Sequence, residues 1–114
     1  MTPPASDLPD DEILHLITPT DWAEARRTGA VAPASLASEG FVHCSTRAQL
    51  AGTLARHFRG AGPLMALVLD PGAIDADLRW DESYPGERFP HVYAPIPVTA
   101  VVAVEDVIPP AAPG

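Results

Sequence analysis

The chain has 114 residues, 46% of them hydrophobic, with 7 basic and 15 acidic residues and a formal net charge of −8. This length suits one domain with its own hydrophobic core, and the single cysteine, Cys44, excludes an intrachain disulfide. Every basic residue is an arginine. The composition therefore argues against lysine Schiff-base chemistry and against binding to a DNA or RNA backbone.

Proline-rich segments flank the predicted domain. Residues 1–11 and 108–114 contain few side chains that could pack, so we expect flexible tails around a single domain over residues 12–107. The first segment lacks the features of a signal peptide, and no apolar run approaches the roughly 18 residues of a membrane span. We expect a cytoplasmic monomer or small homo-oligomer with no membrane partner.

The first predicted elements are a strand and a helix. Ile13 to Ile17 is a short apolar run, typical of a buried strand, and His15 is its only polar member. Thr18, a following proline and Asp21 form a helix start signal, and Gly29 is placed to end that helix.

A second strand and helix follow a loop. Ser35 to Glu39 predicts a single helical turn, and Phe41 to Cys44 predicts the strand. Thr46 and Gln49 have the spacing of a capping box, which indicates that another helix opens there.

The rest of the chain predicts several strands. They are expected at residues 64–69, 78–80, 92–93 and 98–107. Because the helices come early and the strands come late, the order favours an α+β fold with two main helices near the start.

The densest functional groups surround the second strand. Phe41, His43 and Ser45 alternate onto one face, whereas Cys44 lies on the other face among apolar residues and is expected to be buried and inert. If Ser45 or Thr46 caps the next helix, the exposed N–H groups and the helix dipole favour an anion such as a phosphate. The alternative is that these hydroxyls only cap the helix.

His15 admits two interpretations. An imidazole among four aliphatic residues is costly unless its nitrogens are paired or one of them faces a cleft. A satisfied core histidine is one alternative. The other is a rim shared with His43, which lies on the next strand.

A third polar segment follows later in the chain. His91 and Tyr93 share a strand face and combine an acid/base group with a hydroxyl donor. Asp81 and Glu82 are candidates to orient an imidazole or to bind a ribose, and solvated surface acids are the alternative. His57, between two arginines at a helix end, is interpreted as a surface residue that complements the helix dipole.

Three motifs together resemble the bacterial family catalogued as domain of unknown function number 952. They are Ile13-Leu-His-Leu-Ile17, Gly40-Phe-Val-His-Cys-Ser-Thr46 with Gln49, and Phe89-Pro-His-Val-Tyr93. The resemblance implies an ADP-ribosyltransferase-like fold, in which two curved, packed β-sheets flank a nicotinamide-nucleotide cleft. It also implies that His15, and His43 with Ser45, are similar to the nucleotide-binding motifs of RNA 2′-phosphotransferases. Glu82 is then the candidate for the late catalytic glutamate of ADP-ribosyltransferases.

We therefore expect a histidine-rich cleft that binds an NAD-like or ADP-ribose-like nucleotide and transfers or hydrolyses it. The candidate catalytic residues are His15, His43, His91 and Glu82, and the candidate ligand-binding residues are Thr18, Ser45, Thr46 and Tyr93. No cofactor is identified, NAD is a candidate substrate, and no zinc motif such as HExxH or CxxC occurs. A non-catalytic binding module that keeps the cleft is the alternative, and a metal-dependent hydrolase is a weaker one.

Overall fold

The computed structural model describes residues 12–112. It contains four α-helices: α1 (Pro19–Thr28), α2 (Ala34–Ser38), α3 (Leu50–His57) and α4 (Pro71–Ile74). The nine strands are β1 (Ile13–Ile17), β2 (Ala30–Val31), β3 (Val42–His43), β4 (Ser45–Thr46), β5 (Leu64–Leu69), β6 (Leu78–Tyr84), β7 (Glu87–Val92), β8 (Ile96–Pro97) and β9 (Val101–Val107). Single 3-10 turns precede β6 and β9.

The strands form three antiparallel sheets, so the α+β class is confirmed. The four-stranded sheet has the order β4-β1-β5-β9, the three-stranded sheet has the order β3-β7-β6, and β2 pairs with β8. Two packed sheets were expected. The difference arises because β2 and β8 pair only with each other within the described residues.

Helix α1 has the predicted caps at both ends. The Thr18 hydroxyl accepts a hydrogen bond from the Asp21 N–H at 3.1 Å, and Gly29 ends the helix with φ +97°. That left-handed conformation suits glycine because glycine has no Cβ.

The second predicted strand, Phe41 to Cys44, is shortened to β3, and a separate short strand, β4, follows Cys44. At Cys44 the chain leaves the three-stranded sheet, where the Cys44 N–H donates to Pro90 O, and joins β1 of the four-stranded sheet. Since β4 pairs only with Ile13 and Leu14, no strand among residues 12–112 covers the edge of β1 beyond that point. This uncovered edge, at His15, borders the site described below.

The capping box that predicts α3 is present, but the helix begins later than expected. Thr46 N–H donates to the Gln49 side chain at 3.0 Å, and Gln49 N–H donates to the Thr46 hydroxyl at 3.1 Å. These reciprocal bonds close a turn, and α3 begins after it at Leu50.

The late strands are longer or more interrupted than their patterns indicate. Strand β6 continues to Tyr84 and forms a hairpin with β7, which ends at Val92 and so leaves Tyr93 outside the strand. The single strand expected over residues 98–107 begins as a 3-10 turn and becomes β9 only at Val101.

The main core lies between the inner faces of the three sheets and α1. Its buried members include Ile13 and Ile17 of β1, Leu67 of β5, and Val42 and Val92 of the three-stranded sheet. A smaller cluster, formed by Leu14, Ala66 and Val68, lies on the other face of the four-stranded sheet beside Leu50. By alternation along β7, His91 lies on the face away from Val92 and this core.

The chain after β9 crosses back over the end of α3. Gly60 N–H donates to Pro110 O at 3.0 Å, so residues 108–112, expected to be a flexible tail, make a defined contact in the structure. The N-terminal tail expected over residues 1–11 lies outside the described residues. Across residues 12–112, the helices are too short or too polar to span a bilayer.

Candidate functional site: a cleft lined by every histidine

A cavity of about 680 Å³ opens between the uncovered edge of β1, the helices α2 and α3, and the β6–β7 hairpin. The chain contains four histidines. All of them line this cavity: His15, His43, His57 and His91. Strands and a helix far apart in sequence therefore bring the imidazoles to one place.

His15 lies at the floor of the cleft on β1. Its Nδ1 is 2.7 Å from the carbonyl oxygen of His43, and because a carbonyl only accepts, Nδ1 carries the proton. Burial lowers the pKa of His15 below its ordinary value of 6.5, although the bond to the His43 carbonyl opposes this shift. Nε2 is then an unprotonated acceptor at neutral pH.

His43, on β3, supplies this carbonyl from its backbone, and its ring is half exposed to solvent. Its Nε2 is 2.5 Å from a carboxylate oxygen of Glu39, which follows α2. An ionised carboxylate only accepts, so His43 donates from Nε2 and presents Nδ1 as its remaining ring nitrogen.

His91 is held by a carboxylate on the neighbouring strand. Its Nδ1 is 2.8 Å from Asp81 Oδ2, and the same oxygen accepts a hydrogen bond from the Tyr93 hydroxyl at 2.6 Å. The bonds from Tyr93 and His91 hold the pKa of Asp81 below its usual value. The Asp81 carboxylate thus fixes the ring of His91 with Nε2 as its unused nitrogen, an arrangement that suits an acid/base group.

The rings of His43 and His91 meet because the two residues are partners in the β3–β7 register. Their centroids are 5.4 Å apart, in an edge-to-face arrangement. Phe41 stacks on His91 at 4.0 Å and contacts His43 at 4.8 Å. The phenyl ring therefore restricts the orientation of both imidazoles.

Side chains of α3 form another wall of the cavity together with Ser45 and Tyr84. Ser45 and Thr53 share a hydrogen bond of 2.8 Å between their hydroxyl groups. One turn later, the Arg56 guanidinium lies 4.2 Å from the ring centroid of Tyr84, and His57 Nε2 shares a 3.0 Å hydrogen bond with the Tyr84 hydroxyl. The structure thus combines a cation, an imidazole and a phenol on this wall.

Four of the eight predicted site residues line the cavity. They are His15, His43, Ser45 and His91.

The other four predicted site residues are absent from the cavity wall. Thr18 caps α1 and Thr46 caps the turn before α3, so both hydroxyls serve the backbone. The Tyr93 hydroxyl donates to Asp81, which in turn holds His91, so Tyr93 contacts the site only through that carboxylate. Glu82 accepts a 2.6 Å bond from Gly86 N–H, so its carboxylate is used in the hairpin turn.

Sequence reasoning missed Glu39, Arg56, His57 and Tyr84. Thr53, Arg56 and His57 have the three- and four-residue spacing that puts side chains on one helix face. The sequence shows this spacing, but it does not indicate that this face of the helix borders the cleft rather than solvent.

Cys44 lies in the main core, as expected from its apolar neighbours. Burial raises the pKa of its thiol to about 12. A thiolate nucleophile at neutral pH is therefore disfavoured. Within residues 12–112, no three or more histidine, cysteine, aspartate or glutamate side chains are grouped so that they could hold a metal ion.

A family model and solved structures of one bacterial protein match the chain. A family model described as "Protein of unknown function (DUF952)" matches residues 16–104. The X-ray structure of the protein CC0527 from Caulobacter crescentus is 32% identical to the chain, with a TM-score of 0.79 over 85% of this chain and 86% of that chain. The solution NMR structure of CC0527 gives 32% identity and a TM-score of 0.73, covering 84% of each chain. No curated protein matches the chain.

Proposed function

This chain belongs to the DUF952 family, and we propose from the geometry of its cleft that it binds an NAD-like or ADP-ribose-like nucleotide and transfers or hydrolyses it. One observation carries the proposal: all four histidines of the chain line a single cavity. These imidazoles come from β1, β3, α3 and the β6–β7 hairpin. Packing alone does not explain why they meet, because apolar residues would fill the same space at lower desolvation cost.

The size and lining of the cavity suit a nucleotide. Its volume of about 680 Å³ lies within the range of roughly 300–1,000 Å³ that is usual for small-molecule sites. Phe58, Tyr84 and Phe89 add aromatic surface to the wall, which suits a planar base. In this proposal, the remaining ring nitrogens of His15 and His43, both of which line the cavity, bond ribose hydroxyls.

The pair of His91 and Asp81 supports the chemical step. In hydrolysis of an NAD-like ligand, the bond between the nicotinamide nitrogen and ribose C1′ breaks, and its electron pair leaves with nicotinamide. Water then adds at C1′ and gives a proton to an imidazole Nε2, for which His91 is the best-oriented candidate. In transfer, an acceptor hydroxyl replaces the water.

Calorimetric titration tests the binding. NAD, ADP-ribose and AMP are titrated into the protein up to millimolar concentration, in parallel with thermal-shift measurements. We expect saturable binding of at least one of them and a higher unfolding temperature in its presence. Absence of both effects for all three ligands contradicts the proposal.

A second candidate is a non-catalytic nucleotide-binding module. The observation in its favour is the position of Glu82, the candidate catalytic glutamate, which is bonded to Gly86 and is absent from the cavity wall. Incubation with NAD separates the two candidates. Release of nicotinamide that is lost in His91→Gln supports the enzyme, whereas saturable binding without release supports the module.

A further inference from the structure

We infer that Arg56, with His57 and Tyr84, forms a phosphate subsite at the α3 side of the cleft, so that the ligand binds with its phosphate on this wall and its sugar toward the other imidazoles. The inference rests on the proposed function, because it assigns a position to one part of the proposed ligand.

The side chain of Arg56 has donors to spare. Both of its terminal nitrogens lie 3.5 Å from a single oxygen of Glu87, which is a long contact for a charge-assisted hydrogen bond. A guanidinium has five N–H donors in a planar fork. Within the described residues these two long bonds are its only hydrogen bonds, so a phosphate that reaches Arg56 can take shorter ones.

Tyr84 holds this cation in place. The guanidinium carbon of Arg56 lies 4.2 Å from the centroid of the Tyr84 ring, within the range of a cation–π interaction. His57 Nε2 holds the other end of the same ring through the hydroxyl at 3.0 Å. The arginine is therefore positioned before any ligand arrives, which lowers the entropic cost of binding.

The charge distribution of the chain makes Arg56 distinctive. The protein has a formal net charge of −8, so most of its surface repels anions. Of its seven arginines, Arg56 alone lines the cavity. An anionic ligand in this cleft therefore has one permanent cation to approach.

The test compares a nucleotide with its nucleoside. AMP and adenosine are titrated by calorimetry into the wild type, Arg56→Gln and the control Arg59→Gln. Arg59 lies three residues further along and is outside the cavity wall, and its side chain makes one hydrogen bond among the described residues, to the Ala111 carbonyl at 3.5 Å. Thermal unfolding of each variant confirms that it is folded.

We expect wild type and Arg59→Gln to bind AMP roughly tenfold or more tightly than adenosine, since hydrogen bonds to charged groups are the stronger class. Arg56→Gln should lose most of this preference and keep its affinity for adenosine. Equal weakening of both ligands by Arg56→Gln, or the same loss of preference in Arg59→Gln, overturns the subsite while leaving nucleotide binding intact.

Inorganic pyrophosphate separates the subsite from the proposed function. Its binding is followed by NMR through the ring signals of His57. Binding that depends on Arg56 in a protein that takes no nucleotide supports the subsite and contradicts the proposed function. If the wild type binds neither pyrophosphate nor AMP, both are overturned.

Discussion

The cleft and the cluster around Arg47 use polar side chains in opposite ways. Arg47 makes four hydrogen bonds to two carboxylates, at 2.8 and 3.1 Å to Glu12 and at 2.7 Å twice to Glu105. These bonds hold the pKa of Glu105 below its usual value and raise the pKa of Arg47 further. The guanidinium joins the start of β1, the end of β4 and the edge strand β9.

Each imidazole of the cleft uses only one of its two ring nitrogens in hydrogen bonds within the described residues. In the part of the chain that the structure describes, each of the four histidines has one ring nitrogen bonded to a protein group: His15 to a carbonyl, His43 and His91 to carboxylates, and His57 to a phenol. The other nitrogen of each ring has no protein partner there. A saturated cluster stabilises the fold, whereas one with unused donors and acceptors is equipped to bind a ligand.

The largest expected effect is on ligand affinity. The double variant His15→Ala, His43→Ala removes two ring nitrogens from the cleft, and we expect the affinity for ADP-ribose to fall roughly 100-fold, or about 2.8 kcal/mol at 25 °C. Calorimetric titration measures the change, and thermal unfolding checks that the variant is folded. Unchanged affinity in a folded double variant contradicts the distinction between the two clusters.

The next effect is on stability. Arg47→Met breaks both carboxylate contacts, whose side chains are about two-fifths exposed, so we expect the free energy of unfolding to fall by about 1–2 kcal/mol. Urea unfolding measures it. We also expect Arg47→Met to bind ADP-ribose as tightly as the wild type does. Loss of binding in this variant would mean that the Arg47 cluster and the cleft are not separate.

A smaller effect is expected at Asp81. Tyr93→Phe removes the bond that contributes most to the low pKa of this carboxyl, so the pKa should rise toward its ordinary value of 3.8. The change is followed by carbon NMR of the Asp81 carboxyl as a function of pH. A pKa that stays where it is in the wild type would show that Tyr93 does not act on the pair of Asp81 and His91.

The smallest effect concerns pH and stability. Because the folded-state pKa of His15 is depressed below 6.5, the unfolded chain binds more protons just below that pH. Stability should therefore fall as pH drops from 6.5 toward 5, before carboxylates such as Asp81 and Glu105 begin to titrate. Urea unfolding at pH 7, 6 and 5 tests this for the wild type and for His15→Gln, which should show a shallower fall. Parallel curves would contradict the burial of an unprotonated ring.

Features of the fold that depend on neighbouring residues can be predicted from the sequence, whereas those that depend on residues far apart in the chain cannot. Helix α1 is predictable because its signals, Thr18 and Gly29, act on neighbouring residues. The pairing of β2 with β8 is not, since Ala30 and Val31 find their partners at Pro97 and Ile96, and nothing local marks that contact.

The cleft follows the same rule. His15, His43 and His91 are predictable as candidates because each is a polar residue on an otherwise apolar strand, where it needs a reason. His57 has a sufficient local explanation as a cation at a helix end, and this concealed its contact with Tyr84. Glu82 matched an expected role by residue type, but its carboxylate accepts a bond from Gly86 N–H in the hairpin turn, and the next two residues, Ser83 and Tyr84, line the cavity instead.

The most direct test of the central claim, that the four histidines form one ligand site, is an NMR titration of their ring signals with ADP-ribose. The chain has only four histidines, so each ring can be assigned by single substitutions. We predict that all four signals move with one common dissociation constant while the Arg47 guanidinium signal stays in place. Ring signals that remain fixed at millimolar ADP-ribose, or that respond with unrelated constants, would contradict the account.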